Sequence, residues 1–217
     1  MKAHIILYSV GAGGNFLGRV LSLDDCTIPV GAVGPLTTEE RYNKYCYNNI
    51  IDSIGGKFNQ PQQNGLSAWV NIELTDMYMP MKLGMELLTE LDSTIVEPTH
   101  PHLYKDKIQH FGPDDEIHLL YVDPTDCIDW IVDQRLHKGA TLGETRKQIY
   151  AESLKEIELL KELAGTSPAI SLKKIIQSDT DFVEEYCRVC EICNLQSHKA
   201  YALDIYQSWR QTWSNHV

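Results

Sequence analysis

A chain of 217 residues that is 43% hydrophobic and 23% charged can bury a core without staples and is too apolar for long disorder. Its formal net charge of −11 (30 acidic against 19 basic residues) repels nucleic acid and anionic lipid, so neither is expected as a partner. No apolar run approaches the ~18 residues of a membrane span and no signal-peptide pattern opens the chain, so we expect one cytoplasmic domain over 1–217 with its six cysteines reduced.

The first element is the continuous apolar run over residues 4–10, rich in β-branched and aromatic side chains, which predicts a buried parallel strand. Gly11-Ala12-Gly13-Gly14 breaks it. Asn15–Leu21 then has helical spacing, with Phe16, Leu17, Val20 and Leu21 on one side. A loop is predicted over 24–36, and Thr37-Thr38-Glu39-Glu40 is a capping box opening a helix to about Ile54. A polar loop over Gly55–Gly65, a short strand over Ala68–Leu74 and a helix over Lys82–Leu91 follow.

Ser93–Glu97 predicts a second strand ended by Pro98, with Thr99-His100-Pro101-His102 directly after it. Glu116–Val122 predicts a third, and Asp123 and Pro124 read as N-cap and first position of the next helix. Thr141-x-x-Glu144 opens a long helix to about Ala164, whose apolar face is Ile149, Leu154, Ile157, Leu160 and Leu163. A last strand over Ala169–Lys173 and helices near 179–193 and 196–214 complete the helical C-terminal part, about 141–217. Strands alternating with helices predict an α/β protein of three α/β/α layers around a central parallel sheet.

The glycine turn is the first candidate site. Main-chain N–H groups of Gly11, Ala12, Gly13, Gly14, Asn15 and Phe16 can converge on an anion, and the helix that follows adds its positive end. The place after the first strand is where open α/β sheets bind phosphate. Neither a Walker Gly-Lys-Ser/Thr nor a complete dinucleotide fingerprint is present. His100, beyond the second strand, has a residue type suited to a general base facing the same crevice. Asp123–Asp126 reads as a helix cap. Cys187-x-x-Cys190-x-x-Cys193 has metal-like spacing, but the segment has helical periodicity, so the cysteines read as small core residues and no metal is expected. Tyr206, Trp209 and Trp213 form a docking stripe on the last helix.

In their order along the chain these segments resemble the sulfotransferase family, a branch of the P-loop fold. Gly13-Gly14-Asn15-Phe16-Leu17 is similar to its phosphosulfate-binding loop, Thr99-His100-Pro101-His102-Leu103 to the element that carries its catalytic histidine, and Val122-Asp123-Pro124-Thr125-Asp126 to its Arg-Asn-Pro-x-Asp turn. The Tyr206-x-x-Trp209 helix resembles the ends of small sulfotransferase-like proteins, some encoded by marine viruses. The resemblance implies sulfuryl transfer from PAPS (3′-phosphoadenosine-5′-phosphosulfate) to a hydroxyl or amine, with PAP as product and His100 as base. The family's loop Lys or Arg is missing from Ser9–Asn15, and Arg19, one helical turn on, is the candidate substitute. Val122 and Trp130 stand where the family binds the 3′-phosphate through Arg and Ser. The alternatives are phosphate binding or transfer from a nucleoside triphosphate, and a non-catalytic protein that keeps the fold.

Overall fold

The computed structural model describes residues 2–24, 26–27, 37–43, 94–109, 111–137 and 145–214. The elements predicted over 55–65, 68–74 and 82–91 lie outside these residues, as do most of the 24–36 loop and the helix beyond Asn43. The described elements run β1 (Lys2–Leu7), α1 (Gly14–Leu21), β2 (Thr94–Thr99), α2 (Pro101–Ile108), β3 (Glu116–Asp123), α3 (Ile128–His137), α4 (Arg146–Ala164), β4 (Ala169–Ser171), α5 (Leu172–Gln177), α6 (Asp179–Cys193) and α7 (Lys199–Ser214).

All strand pairs are parallel, and the order is β2-β1-β3-β4. Both faces of β1 are buried because its alternate residues feed two cores. Ile6, with Val96, Leu120, Val122 and Ile170, meets Phe16 and Val20 of α1, Leu172 and Ile175 of α5, Phe182 and Tyr186 of α6, and Ile205 and Tyr206 of α7. Ile5 and Leu7, with Ile117, Leu119 and Tyr121, meet Tyr104 and Ile108 of α2 and Leu160 and Leu163 of α4. Helices thus cover the sheet on both sides, as the alternation predicts. Each large side chain fully buried here stabilises by about 1.5–3 kcal/mol. α3 packs on α4 and adds Ile131 to the first core.

Several boundaries differ from the sequence reading, beginning with β1, which spans Lys2–Leu7 rather than 4–10. β2 continues through Pro98 to Thr99. Pro98 pairs in register with Ile6 of β1, and among the described residues the other side of β2 carries only the bridge from Thr27 to Thr94 at its start, so the proline sits where no second ladder needs its N–H. Asp123 is not an N-cap: it ends β3, and its carboxylate accepts from Thr125 N (3.1 Å) and Oγ1 (2.6 Å), closing a turn before α3 starts at Ile128. The described α4 opens on a capping box at Thr145–Gln148, and the predicted box over 141–144 lies outside the described residues. The last strand stops at Ser171, whose side chain caps α5 through Lys174 N.

At the first capping box, Thr37 N and Oγ1 donate to Glu40 Oε2 (2.8 and 2.9 Å), while Glu40 N donates back to Thr37 Oγ1 (3.3 Å). One turn on, Arg41 is buried, and its Nη1 donates to the carbonyls of Ser22, Asp24 and Thr27 (2.9, 2.7 and 3.0 Å). It thereby satisfies main-chain acceptors just beyond the end of α1.

On the α2 side of the sheet, Glu97 and Thr99 of β2 take the ammonium of Lys107 from α2: Lys107 Nζ donates to Glu97 Oε1 and to Thr99 Oγ1 (3.1 Å). Both charged residues are buried, at 4% and 5% exposure. Their burial is tolerable because each charge neutralises the other.

Candidate functional site

The parallel strands bring their carboxyl ends to one edge, and the chain leaves β1 there into the glycine turn. Gly11 and Gly13 adopt positive φ (91° and 74°), a region that side-chain-bearing residues seldom occupy. Ala12 N donates to Ser9 O (3.0 Å), tightening the bend, and Gly13, the N-cap of α1, has no side chain to cap the helix start. Among the described residues no side chain accepts from the first N–H groups of α1, and the helix dipole adds to their positive character.

What the glycines make room for is the protein itself. A Cβ on Gly11 would stand 2.9 Å from the Ile131 carbonyl oxygen, one on Gly13 would stand 2.9 Å from the Trp209 ring, and one on Gly14 would overlap the Tyr8 ring. Ile131, Trp209 and Tyr8 thus occupy the space beside these three glycines. Trp209 also stacks on Phe16 (4.1 Å, 1°). Tyr8 Oη donates to Asn15 Oδ1 (3.0 Å), so Asn15 is tied to the strand end below it.

His100 lies at the same edge. It follows β2 and is the N-cap of α2, with Pro101 at the first helical position. Its ring rests against Tyr8 (4.3 Å between centroids) and near His102 (5.7 Å). Burial, reinforced by the charges of His102 and Lys107, lowers its pKa to about 4, so the imidazole is neutral at physiological pH. His100 Nδ1 is buried and has no hydrogen-bond partner among the described residues.

Two residues that the sequence does not single out as site residues complete the arrangement. Glu156 of α4 reaches the turn: Val10 N donates to both its carboxylate oxygens (3.2 and 3.3 Å). Glu156 Oε1 stands 3.7 Å from His100 Nδ1, and Oε2 stands 3.6 Å from Arg135 Nη1. Burial raises the Glu156 pKa, while the Val10 N–H and the Arg135 guanidinium oppose that rise. Arg135 of α3 also donates to Ser153 Oγ (3.0 Å) and Glu152 Oε2 (3.2 Å), and its stem lies along Gly11. The sequence does carry a signal for Glu156. Ile149, Ser153 and Leu160 are buried on α4, and a residue seven after Ile149 falls on the same stripe. A carboxylate on a buried helical stripe is the anomaly to look for.

The structure thus brings Gly11–Phe16 and His100 to one edge and adds Glu156 and Arg135. Arg19 lies in the last turn of α1, roughly 7 Å along the axis from Gly14. Val122 is buried in the core, and Trp130 lies edge-on to Trp209 (6.3 Å). Cys187, Cys190 and Cys193 lie on α6, with the last two buried and their thiols pushed up to about 12 chiefly by burial. Among the described residues no group of three or more His, Cys, Asp or Glu is arranged to hold a metal ion, and no helix is long and apolar enough to cross a membrane.

Fold and site define an α/β protein with an open parallel sheet and a histidine–carboxylate–arginine cluster at its carboxyl edge. Compared with known proteins, the chain matches no protein family, no curated sequence and no solved structure.

Proposed function

We propose that this edge binds the anionic end of an adenine-nucleotide donor, PAPS, and that His100 takes the proton of a hydroxyl or amine acceptor as the sulfuryl group is transferred. The observation that carries the reading is the meeting of a neutral, shielded imidazole with a glycine turn whose helix start takes no side-chain cap from the described residues. A base for a hydroxyl must be neutral before the reaction and shielded from water during it. In the transfer, the acceptor oxygen or nitrogen bonds to sulfur, the bond from sulfur to the PAP phosphate oxygen breaks, and the acceptor proton passes to His100. Such in-line displacement depends on positioning and charge neutralisation, which uncapped helix amides supply in part.

A second reading, a non-catalytic nucleotide-phosphate binder, is favoured by a different observation. The Val10 N–H is taken by Glu156, and Arg135 is held by Glu152, Ser153 and Glu156. Calorimetry with PAP separates both readings from neither: saturable heat supports an anion site, and no heat at millimolar PAP overturns both. Release of PAP from PAPS with a simple phenol as acceptor then divides them. His100→Ala is expected to keep PAP affinity and lose about 10²–10⁴-fold in transfer rate. A wild-type protein that binds PAP without any transfer leaves the second reading standing.

A further inference from the structure

Four elements converge on the His100 ring. β1 leads into Tyr8, α2 contributes His102 and Lys107, α3 contributes Arg135, and α4 contributes Glu156. Two acceptors face the ring and compete for its single proton: the Tyr8 main chain, which hydrogen-bonds the imidazole, and Glu156, whose Oε1 is the carboxylate oxygen 3.7 Å from Nδ1. That oxygen is itself anchored, because the carboxylate is held by the Val10 main chain and lies beside Arg135. A carboxylate fixed by the backbone on one side of an imidazole, with the ring pinned against Tyr8, is a device for choosing a tautomer.

We infer that Glu156 is a positioning residue for His100: it draws the ring proton to Nδ1 and leaves Nε2 as the basic nitrogen that faces the reacting group. The inference rests on the reading of His100 as a base, and adds which nitrogen acts and what fixes it. The 3.7 Å separation is longer than a hydrogen bond, as such contacts often are before substrate tightens them. As the base takes a proton, the carboxylate stabilises the imidazolium that forms; Glu156 does not itself exchange a proton.

The substitution Glu156→Gln makes the claim sharp. The Val10 N–H needs an acceptor, so the Gln carbonyl oxygen turns to it and the Gln amide group turns toward His100. Nδ1 then has to accept rather than donate, and the proton moves to Nε2. The experiment is nitrogen-15 NMR of the His100 imidazole at pH 7, assigned by its loss in His100→Ala. The wild-type protein is expected in the Nδ1–H form and Glu156→Gln in the Nε2–H form, with the onset of His100 protonation about one pH unit lower in the variant. Glu156→Asp, which restores the charge, is expected to return the Nδ1–H form in part.

A wild-type His100 found in the Nε2–H form overturns the inference without any variant, even where Glu156→Gln fails to fold. The same tautomer in wild type and Glu156→Gln also overturns it. The two claims fail separately. Nδ1–H in a protein that binds no PAP removes the sulfuryl-transfer reading and leaves the tautomer assignment. An unmoved tautomer in a protein whose transfer depends on His100 removes Glu156 and leaves the reading.

Discussion

At Gly14 the methyl of an alanine lands on the ring of Tyr8, which cannot retreat because its Oη is bonded to Asn15 and its other neighbour is His100. Overpacking of this kind costs about 1–3 kcal/mol. Gly14→Ala is therefore expected to lower the thermal midpoint by several degrees for a chain of this size, measured by circular dichroism. Gly13→Ala adds two penalties, the positive φ of 74° and the Trp209 ring 2.9 Å away. Its expected signature is a shift in tryptophan emission in the absence of any ligand. Unchanged emission in the folded variant would mean that Trp209 does not cover the turn. These are tests of packing, and they change how a glycine variant should be read: lost binding at Gly13 follows from a displaced tryptophan as readily as from a blocked ligand.

Elements are where the sequence is most legible and also where it misleads. The β1–turn–α1 unit is readable because an apolar run and four small residues each permit few alternatives. The start of α4 is not, because Thr141-x-x-Glu144 and Thr145-x-x-Gln148 are both competent boxes on sequence grounds, and pattern alone does not rank them. The α4 face is read correctly at Ile149, Ile157, Leu160 and Leu163 and fails at Leu154, which is 42% exposed while the neighbouring Ser153 is buried. The links from His100 to Glu156 and from Glu97 to Lys107 are invisible to periodicity, since each joins two elements. The second pair carries a prediction. Lys107→Met strands the Glu97 carboxylate in the core, at a cost of about 3–5 kcal/mol by urea unfolding, whereas the double change Glu97→Gln with Lys107→Met recovers much of it. Additive losses would show that the pair is not coupled.

Across the whole molecule, acid should weaken the fold through its buried imidazoles. His4 is fully buried on β1, and burial, aided by His118 and Lys2, lowers its pKa to about 4, as burial does for His100. In the unfolded chain both take protons near 6.5. Their folded values are depressed, so between about pH 6.5 and 4 the unfolded state binds more protons. Stability is fully present above that window and drains as pH falls through it, by about 3 kcal/mol for each residue at the low end. Replacing His4 by Gln is expected to remove about 2 kcal/mol of the stability difference between pH 7 and pH 5, read by urea unfolding at the two pH values. A variant with the wild-type pH slope would mean that His4 stays neutral in neither state or charges equally in both.

The stack of Phe16 on Trp209 joins α1 to α7, two elements far apart along the chain. During synthesis the turn that follows β1 therefore leaves the ribosome long before the helix that covers it. A nascent chain stopped between α1 and residue 209 presents that turn without Trp209 over it to whatever anion or chaperone it meets.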